Sequence, residues 1–214
     1  MKIIITAGGT TESIDQVRSI VNKSTGKLGS LIAEEFSKEN VDIVYLCSAN
    51  SIRPNIKNIK IIETITDLEN AITSLLQKGD IDAFVHAMAV SDYSVEGIET
   101  GAGILKPTAK ISSENETLKL VLKKNKKIIK MIKELSPKTM LIGFKLLVDV
   151  SEKELLDVGY ETLQKNKCTY VLANDLTDIT DKNHKAILID TGKNFVRLET
   201  KNEIAKTIVH EVMK

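Results

Sequence analysis

Lys2-Ile3-Ile4-Ile5-Thr6-Ala7-Gly8-Gly9-Thr10 reads as a buried strand running straight into a glycine turn. The apolar, β-branched run suits a parallel strand covered on both faces. Two consecutive glycines let the chain bend sharply and bring backbone N–H groups close to a ligand. Further on stands Asn22-Lys23-Ser24-Thr25-Gly26-Lys27-Leu28-Gly29. Ser24 or Thr25 is the expected N-cap of a helix. Leu28, Leu31, Ile32, Ala33 and Phe36 then follow at helical spacing. Two loops rich in Gly, Ser and Thr are thus expected side by side, one at a strand's C-terminal end and one at a helix N-terminus. An open α/β sheet binds anions and nucleotides at that place. A Gly-Gly turn alone is as often merely a turn, and the second segment shifts the balance. Neither segment is a Walker loop, because Leu28 follows Gly26-Lys27 and residue 21 is valine. There is no G-x-G-x-x-G, and the second strand ends without the carboxylate that holds a ribose in NAD enzymes.

Outward from this stretch, strands are expected at 41–48, 59–63 and 81–88, with a helix at 67–78 between the last two. Such alternation predicts a doubly wound, Rossmann-like, mostly parallel sheet within one nucleotide-binding domain over 1–214. The pattern changes at 94–113, an irregular stretch with Gly97, Gly101, Gly103 and Pro107. Loops of that length are usually functional or mobile, and a long active-site loop is expected there. A strand at 117–122 is expected to run in the other direction or to join a small subsheet. Helices at 126–135 and 152–165 alternate with strands at 138–146 and 168–173, and Gly143 ends or interrupts the first of these strands. Segments 185–190 and 194–198 flank Thr191-Gly192-Lys193 as a C-terminal β-hairpin, and 201–213 is a closing helix.

The 214 residues are 42% hydrophobic, enough for a sizeable core. Thirty basic residues face 29 acidic ones, a net charge of +1, which gives no general attraction to nucleic acid or to an anionic membrane. Cys47 and Cys168 sit in apolar runs and read as buried thiols of a reducing compartment. No run approaches the ~18 apolar residues of a membrane span. The expectation is a soluble, cytoplasmic protein.

Several residues could carry chemistry. Asp92 follows a buried strand on the ligand side of the sheet, as an acceptor for a ribose or as a turn carboxylate. Lys106 and Lys110 lie in the glycine-bearing stretch, where a lysine either closes over phosphates or is solvated. Phe144 is a core residue first and a base-stacking residue second. Asn174 ends an apolar strand, as a ligand contact or a turn starter. Lys119, Lys123, Lys124, Lys126, Lys127, Lys130 and Lys133 read as a solvated face. His86, His184 and His210 share no metal-ligand spacing and read as structural, and no metal ligands are assigned. The G-x-S-x-G elbow is missing. No tyrosine has a lysine four residues on, against a short-chain reductase.

Taken together, the motifs resemble phosphopantothenate–cysteine ligase, the ligase half of the coenzyme A decarboxylase–ligase family. The matching stretches, in family order, are 5–12, 14–18, 22–29, Met88-Ala89-Val90-Ser91-Asp92-Tyr93, Lys110-Ile111, 125–129, Gly143-Phe144-Lys145 and Ala173-Asn174-Asp175. The resemblance implies a reaction in which CTP or ATP activates the carboxylate of 4′-phosphopantothenate. Pyrophosphate leaves, and the amine of L-cysteine attacks the acyl-nucleotidyl intermediate. CTP is the expected nucleotide. Mg²⁺ is implied with the nucleotide, and so is a homodimer. Such chemistry rests on positioning and charge stabilisation and needs no protein nucleophile.

By that resemblance Asn22 and Lys110 are catalytic, Asn22 acting on the intermediate and Lys110 in the first half-reaction. Gly8, Ser24, Gly26, Gly29, Asp92, Lys126, Ile129, Phe144 and Asn174 contact the nucleotide, while Asn22, Met88 and Ala89 meet the substrate. The sequence departs from the family where Lys-Ile-Lys-Lys becomes Lys110-Ile111-Ser112-Ser113, and where Asn-Pro becomes Asn125-Lys126. A further family lysine matches either Lys165 or Lys167. The flavin-dependent decarboxylase half has no counterpart, so a stand-alone ligase is expected. Two competing readings are an NAD(P)-dependent reductase on the same fold and a non-catalytic nucleotide sensor.

Overall fold

Strand β1 (Lys2–Ala7) lies inside an eight-stranded sheet, and its residues are buried from Ile3 onward. The computed structural model describes residues 1–100, 103–105, 111, 116–180 and 183–214. A hairpin of β2 (Thr11–Ser13) and β3 (Ser19–Val21) follows β1, and α1 (Lys27–Phe36) leads to β4 (Asp42–Cys47). Next come β5 (Ile59–Ile61), α2 (Ile65–Gln77) and β6 (Ala83–His86). Strands β7 (Tyr93–Thr100), β8 (Gly103–Leu105) and β9 (Lys119–Lys124) leave the main sheet, and the chain returns through α3 (Ile128–Leu135) to β10 (Met140–Leu147). Then follow α4 (Glu152–Asn166), β11 (Tyr170–Asp175), β12 (Ala186–Asp190), β13 (Phe195–Leu198) and α5 (Lys201–Met213).

The main sheet has the order β13-β12-β11-β10-β6-β1-β4-β5. The six strands from β11 to β5 are parallel, and β12 and β13 add the expected antiparallel hairpin. Alternation along β1 sends Ile3, Ile5 and Ala7 to one face and Ile4 to the other. Ile32 and Phe36 of α1 and Ile204 and Ile208 of α5 cover the first face. Leu68 of α2, Ile132 of α3 and Leu163 of α4 cover the second. A doubly wound sheet results, with its six parallel C-terminal ends gathered along one rim.

Helix ends follow local chemistry. Thr64 caps α2 in a capping box: its Oγ1 accepts from Asp67 N at 3.1 Å, and its own N–H donates to Asp67 Oδ2 at 2.9 Å. Ser151 and Thr200 cap α4 and α5 through the N–H groups of Glu154 and Glu203. α1 departs from the expected cap. Its N-cap is Gly26, in the left-handed region at φ 71°, rather than Ser24 or Thr25. A Cβ on Gly26 would lie 2.8 Å from Ser51 Cβ and 3.2 Å from Gly8 N. Close approach of the two glycine segments thus overrides the side-chain preference.

The stretch expected to be irregular from 94 begins as strand β7, and β8-β7-β9 forms a separate antiparallel subsheet. A bulge between Val95 and Gly97 breaks the alternation that would have revealed β7. Gly143 does not interrupt a strand. It lies inside β10, where a Cβ would meet Ile129 Cδ1 at 3.0 Å and Cys168 Sγ at 3.1 Å. Cys47 and Cys168 are free and buried. Among the described residues no helix is long and apolar enough to cross a membrane.

Candidate active site

Three turns meet where β1, β6 and α1 converge on the rim. Ala89 N donates to Gly8 O at 2.8 Å, and Thr10 N donates to Ala89 O at 3.1 Å. Gly9 and Ala89 are thereby paired like strand residues beyond the ends of β1 and β6. Thr10 Oγ1 donates to Ser91 Oγ at 2.9 Å and accepts from Ser91 N at 2.9 Å. Gly8 sits at φ 84°, and Gly9 N donates to Ser48 Oγ at 3.3 Å. This glycine turn is thus pinned by β4's end on one side and β6's exit on the other.

Asn22 enters the same knot. A Cβ on Gly9 would stand 2.6 Å from Asn22 O, so the two segments touch. Asn22 Nδ2 donates to Ala89 O at 3.1 Å and to Ser91 Oγ at 3.3 Å. A carbonyl can only accept, so Ala89 fixes which end of the amide faces it. Both amide hydrogens are then committed to the protein, and no described residue donates to Oδ1. Ser24 N donates to Asn22 O at 2.9 Å, which closes the turn into α1. Gly29 has a packing role in its first turn: a Cβ there would lie 2.5 Å from Ala7 Cβ.

Beyond Ser91 the rim opens into a cleft of about 170 Å³. Met88, Asp92, Lys126, Ile129 and Phe144 line it, together with His86 and Lys127. Five residues proposed to meet nucleotide or substrate therefore share one cleft, and Gly8, Asn22, Gly26 and Ala89 cluster beside it. Asn174 lies elsewhere along the rim. It is buried inside β11 in register with Leu146 of β10, and does not line the cleft. Lys106 and Lys110 fall outside the described residues.

Other partners were not evident from sequence. Lys127, grouped above with a solvated face, donates to Asp92 Oδ1 at 2.5 Å across the mouth of the cleft. Lys119, Lys123, Lys126 and Lys130 likewise pair with Glu99, Glu96, Glu69 and Glu134. Asn125 Nδ2 donates to Ser91 O at 3.0 Å, and Asn125 N to Asp92 O at 2.8 Å, so this residue orients the turn. Asp15, 3% exposed, accepts from Val17 N, Arg18 N, Arg18 Nη2 and Ile111 N at 2.9, 2.8, 2.6 and 3.1 Å. The Arg18 guanidinium, then these N–H groups, hold its carboxyl well below the usual carboxylate range. Residue 111 is thereby tied to the first hairpin.

All of residues 1–214 match the model of the DNA/pantothenate metabolism flavoprotein C-terminal domain. The chain belongs to this family. It is 33% identical over 215 residues to the coenzyme A biosynthesis bifunctional protein CoaBC of Thermococcus kodakarensis, covering 100% of this chain and 51% of that protein. Against the protein of the same name from Methanocaldococcus jannaschii it is 34% identical over 217 residues, covering 100% and 50%. The chain thus spans about half the length of these relatives. A crystal structure of the DNA/pantothenate metabolism flavoprotein from Streptococcus pneumoniae superposes with a TM-score of 0.91 at 37% identity, over 100% of this chain and 98% of that one.

The buried histidines make the family fold acid-sensitive here. Burial lowers His86 to about 4, and burial, then Lys201, lowers His184 to about 4. Between 4 and the ordinary 6.5 the unfolded chain binds more protons than the folded one. Stability from these groups is therefore complete above pH 6.5 and is lost as pH falls toward 4. For His86 alone the loss is about 3 kcal/mol. Urea midpoints at pH 7.5 and 4.5 test this, and a midpoint flat across that interval contradicts it. Asp175, lowered to about 2 by the Thr177 hydroxyl and then the Val150 N–H, adds its own loss only between 3.8 and 2.

Proposed function

We propose that this chain is one ligase domain over 1–214 that joins 4′-phosphopantothenate to L-cysteine in coenzyme A biosynthesis. CTP, or ATP in its place, activates the substrate carboxylate. The carboxylate oxygen attacks the α-phosphorus, pyrophosphate leaves, and the cysteine amine then displaces the nucleoside monophosphate from the acyl carbon. The observation that carries this reading is the anchored amide of Asn22. It is fixed by Ala89 and Ser91 beside the glycine turn, with an oxygen that no described residue engages, on the same rim as the Asp92–Lys127 cleft. An oxygen acceptor suits the incoming amine, which must present its lone pair to the acyl carbon while its hydrogens are held. Phe144, Ile129 and Met88 give the cleft an apolar wall for a base, and Asp92 is an acceptor for ribose hydroxyls at its mouth. Lys110 belongs to the first half-reaction in this reading, as a charge facing the departing pyrophosphate.

Mg²⁺ would arrive on the triphosphate. Among the described residues no group of three His, Cys, Asp or Glu side chains could hold a metal ion by itself. A phosphate-bound cation fits that donor set. The subsheet leaves Tyr93, Ile104, Leu105, Leu120 and Leu122 exposed, an apolar surface suited to the second copy of a homodimer. The expected setting is the cytoplasm.

Pyrophosphate release tests the reaction directly. With phosphopantothenate and Mg²⁺, release is expected with CTP at a greater kcat/KM than with ATP. Cysteine should turn a single burst into steady turnover with one nucleoside monophosphate per amide formed. No release with either triphosphate would remove the ligase reading.

A further inference from the structure

His86 is a buried titratable group that the reaction above leaves unused. It ends β6, in register with Thr6 of β1 and Gly143 of β10. Its ring lies edge-on to Phe84, with centroids 5.9 Å apart, and it lines the cleft while only 7% exposed. Nδ1 stands 2.9 Å from Thr6 Oγ1, which is fully buried and has no other hydrogen-bond partner among the described residues.

That isolation assigns the tautomer. A hydroxyl has one proton to place, and an unpaired buried donor costs more than an unused lone pair. Thr6 therefore donates to Nδ1, and the proton of the neutral ring sits on Nε2. No described residue bonds Nε2. Nor is it sealed in: the unpartnered, fully enclosed polar side-chain atoms among the described residues are Ser30 Oγ, Tyr45 Oη and both ring nitrogens of His184. Nε2–H therefore opens on the cleft. Burial keeps the ring uncharged at neutral pH.

The surroundings select the ligand group. Met88, Val90, Ile128, Ile129 and Phe144 are the apolar lining, whereas Asp92, Lys126 and Lys127 bear the charges. The Ser91 hydroxyl also lines the cleft but is engaged by Thr10 and Asn22. An uncharged ring donor among aliphatic and aromatic walls suits the edge of a flat heterocycle better than a phosphate or a carboxylate. We propose that His86 reads the nucleobase, its Nε2–H donating one hydrogen bond to a ring nitrogen or carbonyl oxygen on the base edge. Thr6 is the positioning residue that fixes the tautomer. This assignment rests on the nucleotide reading given above.

Steady-state kinetics of the full chain test it. His86→Leu should raise KM for the preferred triphosphate at least tenfold and leave KM for phosphopantothenate and cysteine within twofold. Thr6→Val, which keeps shape and burial, should raise the same KM severalfold. Triphosphates lacking one base acceptor at a time should include one that costs the wild type tenfold and costs His86→Leu nothing more. Imidazole ¹⁵N resonances should show His86 protonated on Nε2, with that nitrogen shifting when nucleotide binds. A ring protonated on Nδ1, or an unchanged nucleotide KM in His86→Leu, would overturn the assignment. Should the leucine variant fail to fold, the analogue series and the resonances on the wild type decide. Wild-type turnover separates the two claims. Its absence with every triphosphate removes the ligase reading, whereas normal turnover with a His86→Leu defect blind to the nucleotide removes only this role.

Discussion

Asn22→Asp protein given phosphopantothenate, CTP and Mg²⁺ will release about one equivalent of pyrophosphate per site and then stall. Cysteine-dependent amide formation will fall on the order of 10²- to 10³-fold, the usual scale for losing one oriented polar contact to a transition state. The reason lies in where the amide hydrogens go. Asn22 Nδ2 spends both on Ala89 O and Ser91 Oγ, at 3.1 and 3.3 Å. An aspartate has no hydrogen to offer and would set a charged oxygen against the Ala89 carbonyl. It must rotate away, and the free acceptor moves with it. In the proposed reaction, activation of the substrate uses the triphosphate and not this oxygen, so the first step should survive. Quenched-flow detection of the accumulated acyl-nucleotide, with pyrophosphate counted in parallel, checks both halves. Wild-type amide formation would refute the role, and so would loss of the initial burst.

Much of the architecture was legible because burial on both faces leaves a plain signature. The runs at β1, β4 and β6 read as parallel strands for that reason, and the apolar stripe of α5 gave its limits. The exceptions have physical causes. β7 carries Gly97 and three partly or fully exposed polar residues, and its pairing with β8 and, non-locally, with β9 makes it a strand. The cap of α1 was misread because the preference for Ser or Thr is worth about 1 kcal/mol, less than the close approach of Gly26 to Gly8 demands. At the site, the sequence suggested which loops converge, and the rim of a parallel sheet accounts for that. It did not suggest the Lys127–Asp92 pair or a place for His86 in the cleft. A lysine in a charge-balanced run carries no mark of its partner, and a histidine at the end of an apolar strand looks like any other core residue.

Gly8→Ala should lower stability by about 4 kcal/mol and abolish turnover, whereas Gly79→Ala should cost about 1 kcal/mol and leave the site intact. The two glycines share a left-handed backbone, φ 84° and 72°, so the conformational penalty is common to both. Their surroundings separate them. A Cβ on Gly79 meets nothing within 4 Å, but on Gly8 it would lie 2.2 Å from Ser48 Oγ, 2.9 Å from Ser51 Cβ and 3.2 Å from Ser48 Cβ. The Ser48 hydroxyl could swing aside only by giving up Gly9 N, and the two Cβ atoms cannot swing at all. Relief must then come from shifting the glycine turn, which also carries the Gly8 O···Ala89 N bond that aligns the Asn22 anchor. Urea unfolding of both variants beside the wild type measures the difference, and pyrophosphate release under conditions where each remains folded measures the site. Equal losses of stability would mean that backbone strain alone governs these positions. In that case Gly8 would owe its place to φ, not to the crowding of three turns around it.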